Sequence, residues 1–181
     1  MEKDHIKKLI SQLNKLRVGY AFTGAFAVSY YGFPRASTDI DILVEKNSTK
    51  LLRMAAMLHD SGYDVTGSDV KKAVEECSHF AVFHREKTFP YFDFKVACEE
   101  DELLSVKNCK TIVYHGVKCR IVSVEDLIVK KLEWNDIRDV EVILRRHREI
   151  DMKRLLKMSK EKRLYAKLQQ LLKTSTSYAA S

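Results

Sequence analysis

The chain is 181 residues long, which suits one domain with a sizeable core and a helical appendage. Lys and Arg number 32 against 25 Asp and Glu, a formal net charge of +7. No run of eighteen apolar residues exists, and Met1 to Arg17 is too charged for a secretory signal, so the expectation is a soluble cytoplasmic protein with no membrane partner. The cysteines Cys77, Cys98, Cys109 and Cys119 lack CxxC spacing and sit in or beside apolar segments, which reads as reduced structural thiols rather than a zinc site or disulfides. With two prolines and six glycines there is no flexible linker, no low-complexity region and no internal repeat.

In chain order, Ile6, Leu9, Ile10, Leu13 and Leu16 recur at helical spacing and predict an amphipathic helix over 3–16. Tyr20 to Thr23 reads as a short buried strand and Ala25 to Tyr31 as a helix that stops at Gly32, since Pro34 forbids its continuation. Asp39, Ile40, Asp41 and Ile42 alternate as a strand does. Asn47 and Ser48 are candidate caps for a helix to about Asp60, with Gly62 at its end. Tyr63 to Thr66 adds an edge strand and Ser68 to Glu76 a short helix. Ser78 to His84 and Tyr91 to Ala97 predict a hairpin over the charged turn Arg85 to Thr88, and Lys110 to Tyr114 with Val117 to Val122 predict a second over His115-Gly116. Between them, Glu99 to Glu102 opens a helical turn. Ser123 caps the helix SVEDLIVKKLEW, with Asp126 completing a capping box, and Asn135 caps another whose stripe is Ile137, Val140, Ile143 and Leu144. Helices over 151–158 and 160–172 follow, and 174–181 reads as a disordered tail.

The chemistry concentrates between Thr23 and Val44. Side chains of a strand repeat every second residue, so the Asp39 and Asp41 carboxylates share one face, their Cα atoms about 7 Å apart, while the isoleucines face the core. Two like charges so close imply a cation between them. The turn ahead of the helix supplies the complement, because free N–H groups at a helix N-terminus after a small residue can hold phosphate. A phosphate cradle beside a divalent-metal ligand pair is what a nucleoside triphosphate with Mg²⁺ requires. Further on, alternation puts Asp93 on the strand face opposite Phe92 and Phe94, where a carboxylate needs a partner.

This stretch resembles the signature of the polymerase-β-like nucleotidyltransferase superfamily, a Gly-Gly or Gly-Ser pair followed after a helix by Asp-x-Asp on a strand. The likeness is nearest to the small prokaryotic minimal nucleotidyltransferases and the AbiEii-type toxin transferases. The pair here is Gly24-Ala25, a departure that adds a methyl group where the triphosphate would approach and offers no hydroxyl. The resemblance implies an α+β fold with a mixed sheet of about five strands, helices on one face and a C-terminal helical bundle. It makes Asp39, Asp41 and Asp93 the catalytic and metal-binding carboxylates for Mg²⁺ or Mn²⁺. It assigns the backbone of Gly24 and Ala25 and the side chain of Thr23 to the phosphates. Arg35, in the Phe-Pro-Arg turn just before the carboxylates, adds charge, as does Lys130 or Lys131 in the segment Glu-Asp-Leu-Ile-x-x-Lys. Similar proteins read Pro-Arg-x-Thr-x-Asp-Ile-Asp at that turn, where this chain reads Pro-Arg-Ala-Ser-Thr-Asp-Ile-Asp. The structural alternatives are an ion-paired strand Asp at 93, an exposed loop Arg at 35 and a solvent-facing lysine pair; Arg138-Asp139 reads either as the family's Arg-Asp pair or as a plain ion pair.

The implied activity is transfer of a nucleoside monophosphate from an NTP such as ATP to an unidentified acceptor, an RNA end, a protein hydroxyl or a small molecule, with release of pyrophosphate. The alternative is a weakly active or inactive nucleotide-binding module of a toxin–antitoxin pair. A catalytic core over 1–122, a helical region over 123–173 packed on it and the tail 174–181 are the expected organisation. The basic excess is confined to 145–173, with 11 Lys and Arg against 3 Asp and Glu, whereas 1–144 holds 21 against 22. This reads as a platform for an RNA or acidic protein partner, or as solvated helix faces.

Overall fold

The computed structural model describes residues 2–177, the side chains of 2, 3, 87–90 and 174–177 excepted. Its elements follow one another as α1 (Glu2–Lys15), β1 (Tyr20–Phe22), α2 (Gly24–Tyr31), β2 (Asp39–Glu45), α3 (Ser48–Asp60), β3 (Tyr63–Asp64), α4 (Gly67–Glu76), β4 (His79–His84), β5 (Lys87–Ala97), α5 (Glu100–Lys107), β6 (Lys110–Tyr114), β7 (Val117–Ile121), α6 (Val124–Glu133), α7 (Ile137–Arg146), α8 (Met152–Glu161) and α9 (Tyr165–Ser177). They fall into two compact units, one of Met1–Phe26 with Ala36–Val122 and one of Ala27–Arg35 with Ser123–Ser181.

The first unit is built on one mixed sheet in the order β3-β4-β5-β2-β1-β7-β6. It has seven strands where about five were expected, because the parallel pairing of β1 with β7 brings the β6–β7 hairpin into the same sheet and a two-residue β3 caps the other edge. At its centre β2 and β5 run parallel in register from Asp39↔Tyr91 to Glu45↔Ala97. Alternation then divides the sheet. Ile40, Ile42, Val44, Phe92, Phe94 and Val96 are buried on one face, and Asp39, Asp41 and Asp93 stand on the other. His5 of α1 bonds the Tyr63 hydroxyl at 3.1 Å and the Tyr63 ring meets Phe92, which sets α1 over the apolar face. That face is sealed by leucines with no exposed area, among them Leu9 and Leu13 of α1 and Leu51 and Leu58 of α3. The short α5 crosses the acid-bearing face, held by Lys95 to Glu102 at 3.0 Å.

Local chemistry explains most helix boundaries. Asn47 accepts from the Lys50 N–H, and Thr66 and Asp69 form a reciprocal capping box. Cys77 ends α4 in the left-handed conformation at φ 52° and is bridged to Cys98, with Cα atoms 5.9 Å apart. This disulfide corrects the expectation of four reduced thiols. Spacing of 21 residues carries no signal, whereas the β4–β5 hairpin returns Cys98 beside the end of α4. Cys109 and Cys119 are free.

The second unit is helical. Ser123 caps α6 by accepting from the Asp126 N–H. Asn135 does not cap α7; it sits in the left-handed region and Asp136 takes the cap position, its carboxylate turned to Lys131. Gly32 lies against α7, where a Cβ would stand 2.7 Å from a Val142 methyl. Arg154 of α8 spans Ser123, Glu125 and Asp126, fastening the start of α6. α9 continues through Ser177 into the segment expected to be disordered, since Thr174 to Ser177 contain neither Gly nor Pro to stop it; 178–181 lie outside the described residues. No helix among the described residues is long and apolar enough to cross a membrane.

Candidate active site

The three sequence-selected carboxylates are neighbours on the sheet. Asp41 and Asp93 are partners in the parallel register, and Asp39 lies one pleat away beside Tyr91. The chain had to fold parallel for this, because a hairpin between these strands would have fixed a different register. Asp39 accepts from the Ser37 hydroxyl at 2.5 Å, and Asp93 meets the His79 ring at 3.1 Å. Their combined field is felt at Tyr91. Burial pushes its hydroxyl pKa up, and the negative charges of Asp39, Asp93 and Asp41 push it further in the same direction.

Gly24 opens α2 against these acids. Its φ is +55°, and a Cβ built there would overlap the Asp41 carboxylate, so only glycine fits. The Thr23 N–H donates to the Asp41 carbonyl at 3.0 Å, tying the start of α2 to β2. The first turn of α2 carries no acidic side chain of its own that would oppose an anion at this helix end. Ala25 follows with its methyl group buried.

Arg35, Lys130 and Lys131 belong to the second unit. There Asp139, itself buried, receives Arg35 at 2.5 Å and Lys131 at 2.9 Å, and Lys131 also reaches Asp136 at 2.8 Å. Asp139 thus bonds one cation from α6 and one from the connection between α2 and β2. Lys131 is the inward lysine; Lys130 is partly exposed, pairs with Glu133 at 3.2 Å and lies over Trp134. Burial alone would lower the Lys131 pKa, but hydrogen bonds and charge from Asp136 and Asp139 outweigh it and raise it. A guanidinium with five N–H groups and an ammonium with three are not exhausted by these bonds.

As they stand, no three His, Cys, Asp or Glu side chains among the described residues are grouped to hold a metal ion. The donor set nevertheless fits a hard divalent cation: three carboxylates from adjacent strands, all oxygen ligands, two of them in register. Asp39 and Asp93 are turned to Ser37 and His79, and rotation about their side-chain bonds is what convergence requires. His79 was not read from the sequence. The signal was available in the hairpin, since Ala81 pairs with Asp93 and His79 lies two residues away on the same face.

No protein-family model matches the chain, and no curated protein matches it. Solved structures do resemble it. The antibiotic-resistance factor ANT(2'')-Ia, in complex with adenylyl-2''-tobramycin, is similar at TM-score 0.53 and 18% identity over 78% of this chain and 86% of that one. An antigenic nucleotidyltransferase-like protein from Paracoccidioides brasiliensis is similar at 0.54 and 16% identity, covering 94% and 91%. A candidate nucleotidyltransferase from Thermotoga maritima gives 0.53 and 17%, covering 76% and 87%. At these identities the likeness establishes the fold: this is a nucleotidyltransferase-fold protein.

Proposed function

We propose that the protein is a nucleotidyltransferase that moves a nucleoside monophosphate from an NTP to an acceptor hydroxyl. The observation that carries this reading is the meeting of Gly24 with Asp41, which sets the anion-receptive start of α2 against a carboxylate in register with Asp93. A structural neighbour that holds a nucleotidylated small molecule supports the chemistry. Asp39, Asp41 and Asp93 would hold Mg²⁺ or Mn²⁺, which when bound neutralises triphosphate charge and lowers the pKa of the attacking hydroxyl. The backbone of Gly24 and Ala25 and the Thr23 side chain bind the β- and γ-phosphates, with Arg35 and Lys131 or Lys130 adding positive charge. The acceptor oxygen attacks the α-phosphorus in line; its bond forms as the bond to the β-phosphate bridging oxygen breaks, pyrophosphate leaves and the hydroxyl proton passes to water.

The test is incubation of the full chain with each of the four labelled NTPs, Mg²⁺ or Mn²⁺, and a nucleotide-depleted cell extract. Wild type labels an acceptor and Asp41→Asn does not. Equal labelling by both would defeat the assignment.

A further inference from the structure

One edge of the sheet is partly covered by the two-residue β3, and the other is bare. There β6, five residues long, has β7 on one flank and no strand on the other among the described residues. Alternate residues of its backbone therefore direct an N–H and a C=O away from the ladder. We propose that β6 is a docking edge, and that an extended segment of a partner protein, alternating acidic and apolar residues, adds to it as an eighth strand. This goes beyond the nucleotidyl-transfer reading and does not depend on it.

Three observations choose this occupant. The first is the outer face of the hairpin. Thr111 lies opposite Arg120 and Val113 opposite Lys118, so these four share one face, while Ile112 and Cys119 are buried on the other. Val113 is 67% exposed, an aliphatic side chain left in solvent at the margin of the sheet. The second is charge. Lys107, Lys110, Lys118 and Arg120 gather on α5, β6 and β7, all exposed and none in a salt bridge among the described residues. Neighbouring strands stand about 4.8 Å apart, so an acidic residue opposite Thr111 is two strands from Arg120, and two long side chains span that gap over the short threonine. A second copy of the chain would instead bring its own cations to this face, and like charges oppose that.

The third is a pocket of about 450 Å³ on the same face, lined by Leu103, Val106 and Lys107 of α5, by Thr111 and Arg120, and by Glu45. Its apolar wall comes from α5. Lys107 and Arg120 outnumber Glu45, whose charge is already met by Lys50 at 2.6 Å, so the pocket suits an acidic side chain with an aliphatic stem. Strand addition works by this division of labour, in which backbone pairing supplies affinity and pockets beside the edge select side chains. A nucleic acid would meet the cations but has no ladder of N–H and C=O groups to offer the edge, and the bare backbone therefore decides for polypeptide.

The experiment uses the full chain and a short, end-capped peptide that alternates Glu and Val. Its controls are the Lys–Val counterpart, a Glu–Val peptide N-methylated at alternate backbone nitrogens, and an oligouridylate. In amide-resolved NMR the Glu–Val peptide shifts Lys110 to Tyr114 and slows hydrogen exchange at alternate residues of β6, and neither control peptide does so. By calorimetry Lys118→Gln and Arg120→Gln each weaken the Glu–Val peptide about threefold. Lys118→Glu combined with Arg120→Glu transfers preference to the Lys–Val peptide, with the fold checked by circular dichroism; if that reversal unfolds the chain, the two glutamine variants still decide the matter. Equal binding of both peptides by wild type, tolerance of N-methylation, shifts centred away from β6, or an oligouridylate that shifts the same amides more strongly would overturn the proposal. So would sedimentation of the chain alone as a dimer whose β6 amides are already protected.

Discussion

Gly24 carries two constraints at one Cα, a left-handed φ and the Asp41 carboxylate against the space a side chain would take. Gly24→Ala therefore adds about 1–2 kcal/mol of backbone strain and displaces Asp41, and we expect at least a hundredfold loss of MgATP affinity by calorimetry with the fold retained by circular dichroism. Ala25→Ser preserves that affinity and Ala25→Leu abolishes it; tolerance of leucine would place the triphosphate elsewhere. Lys131 makes a statement about pH. Its pKa in the folded state is raised above 10.5, so its stabilisation is fully present below that value and is lost only as pH rises through the higher folded one. Urea titrations should show an alkaline loss of stability that Lys131→Met removes, at a cost of about 1–3 kcal/mol at pH 7 for the buried Asp139 carboxylate left short of a partner. At this scale Asp39, Asp41 and Asp93 were legible because alternation assigns a face without any tertiary information. The partners of Asp139 were not. Its sequence neighbour Arg138 was the visible candidate, whereas the fold supplies Arg35 and Lys131.

The β2–β5 pair is the element on which both the core and the site depend. One pleat of its register carries Phe94 and Ile42 inward and the next carries Asp93 and Asp41 outward, so a one-residue slip would exchange acids and core. Phe94, fully buried and stacked on Phe80, should cost about 3–5 kcal/mol when replaced by Ala, read from denaturant unfolding. The Cys77–Cys98 bridge closes a loop over α4's end and the β4–β5 hairpin. Its removal by Cys77→Ser with Cys98→Ser should cost about 3 kcal/mol, and a reductant should lower the stability of the wild type but not of the double variant. The hairpin itself was readable from alternation around a charged turn. Its parallel docking on β2 was not, because parallel partners lie far apart in sequence and share no turn signal.

Across the whole chain the charge is uneven, and the structure sorts the basic residues of 145–173. Lys153, Lys157 and Lys160 are exposed, whereas Arg154 is committed to Ser123, Glu125 and Asp126. If the exposed group engages RNA phosphates, log affinity falls linearly with log salt, and replacing these three lysines by Gln lowers the slope by roughly 0.7 for each phosphate no longer neutralised. A flat response, or one the three substitutions leave unchanged, reduces the surface to solvated helix faces. Arg154→Gln should instead lower stability, because it leaves the buried Glu125 and Asp126 short of a partner.

The sequence by itself determined the local terms: the periods of helix and strand, most caps, the glycine at the start of α2 and the face on which each acid stands. These depend on residues within a few positions of one another, where backbone geometry alone fixes direction. Tertiary structure decided the rest: seven strands in one sheet, Asp93 beside Asp41, His79 on Asp93, Cys77 on Cys98 and the shared grip on Asp139. Each of these joins groups whose separation along the chain carries no information about distance, and only the burial of the common core brings them together.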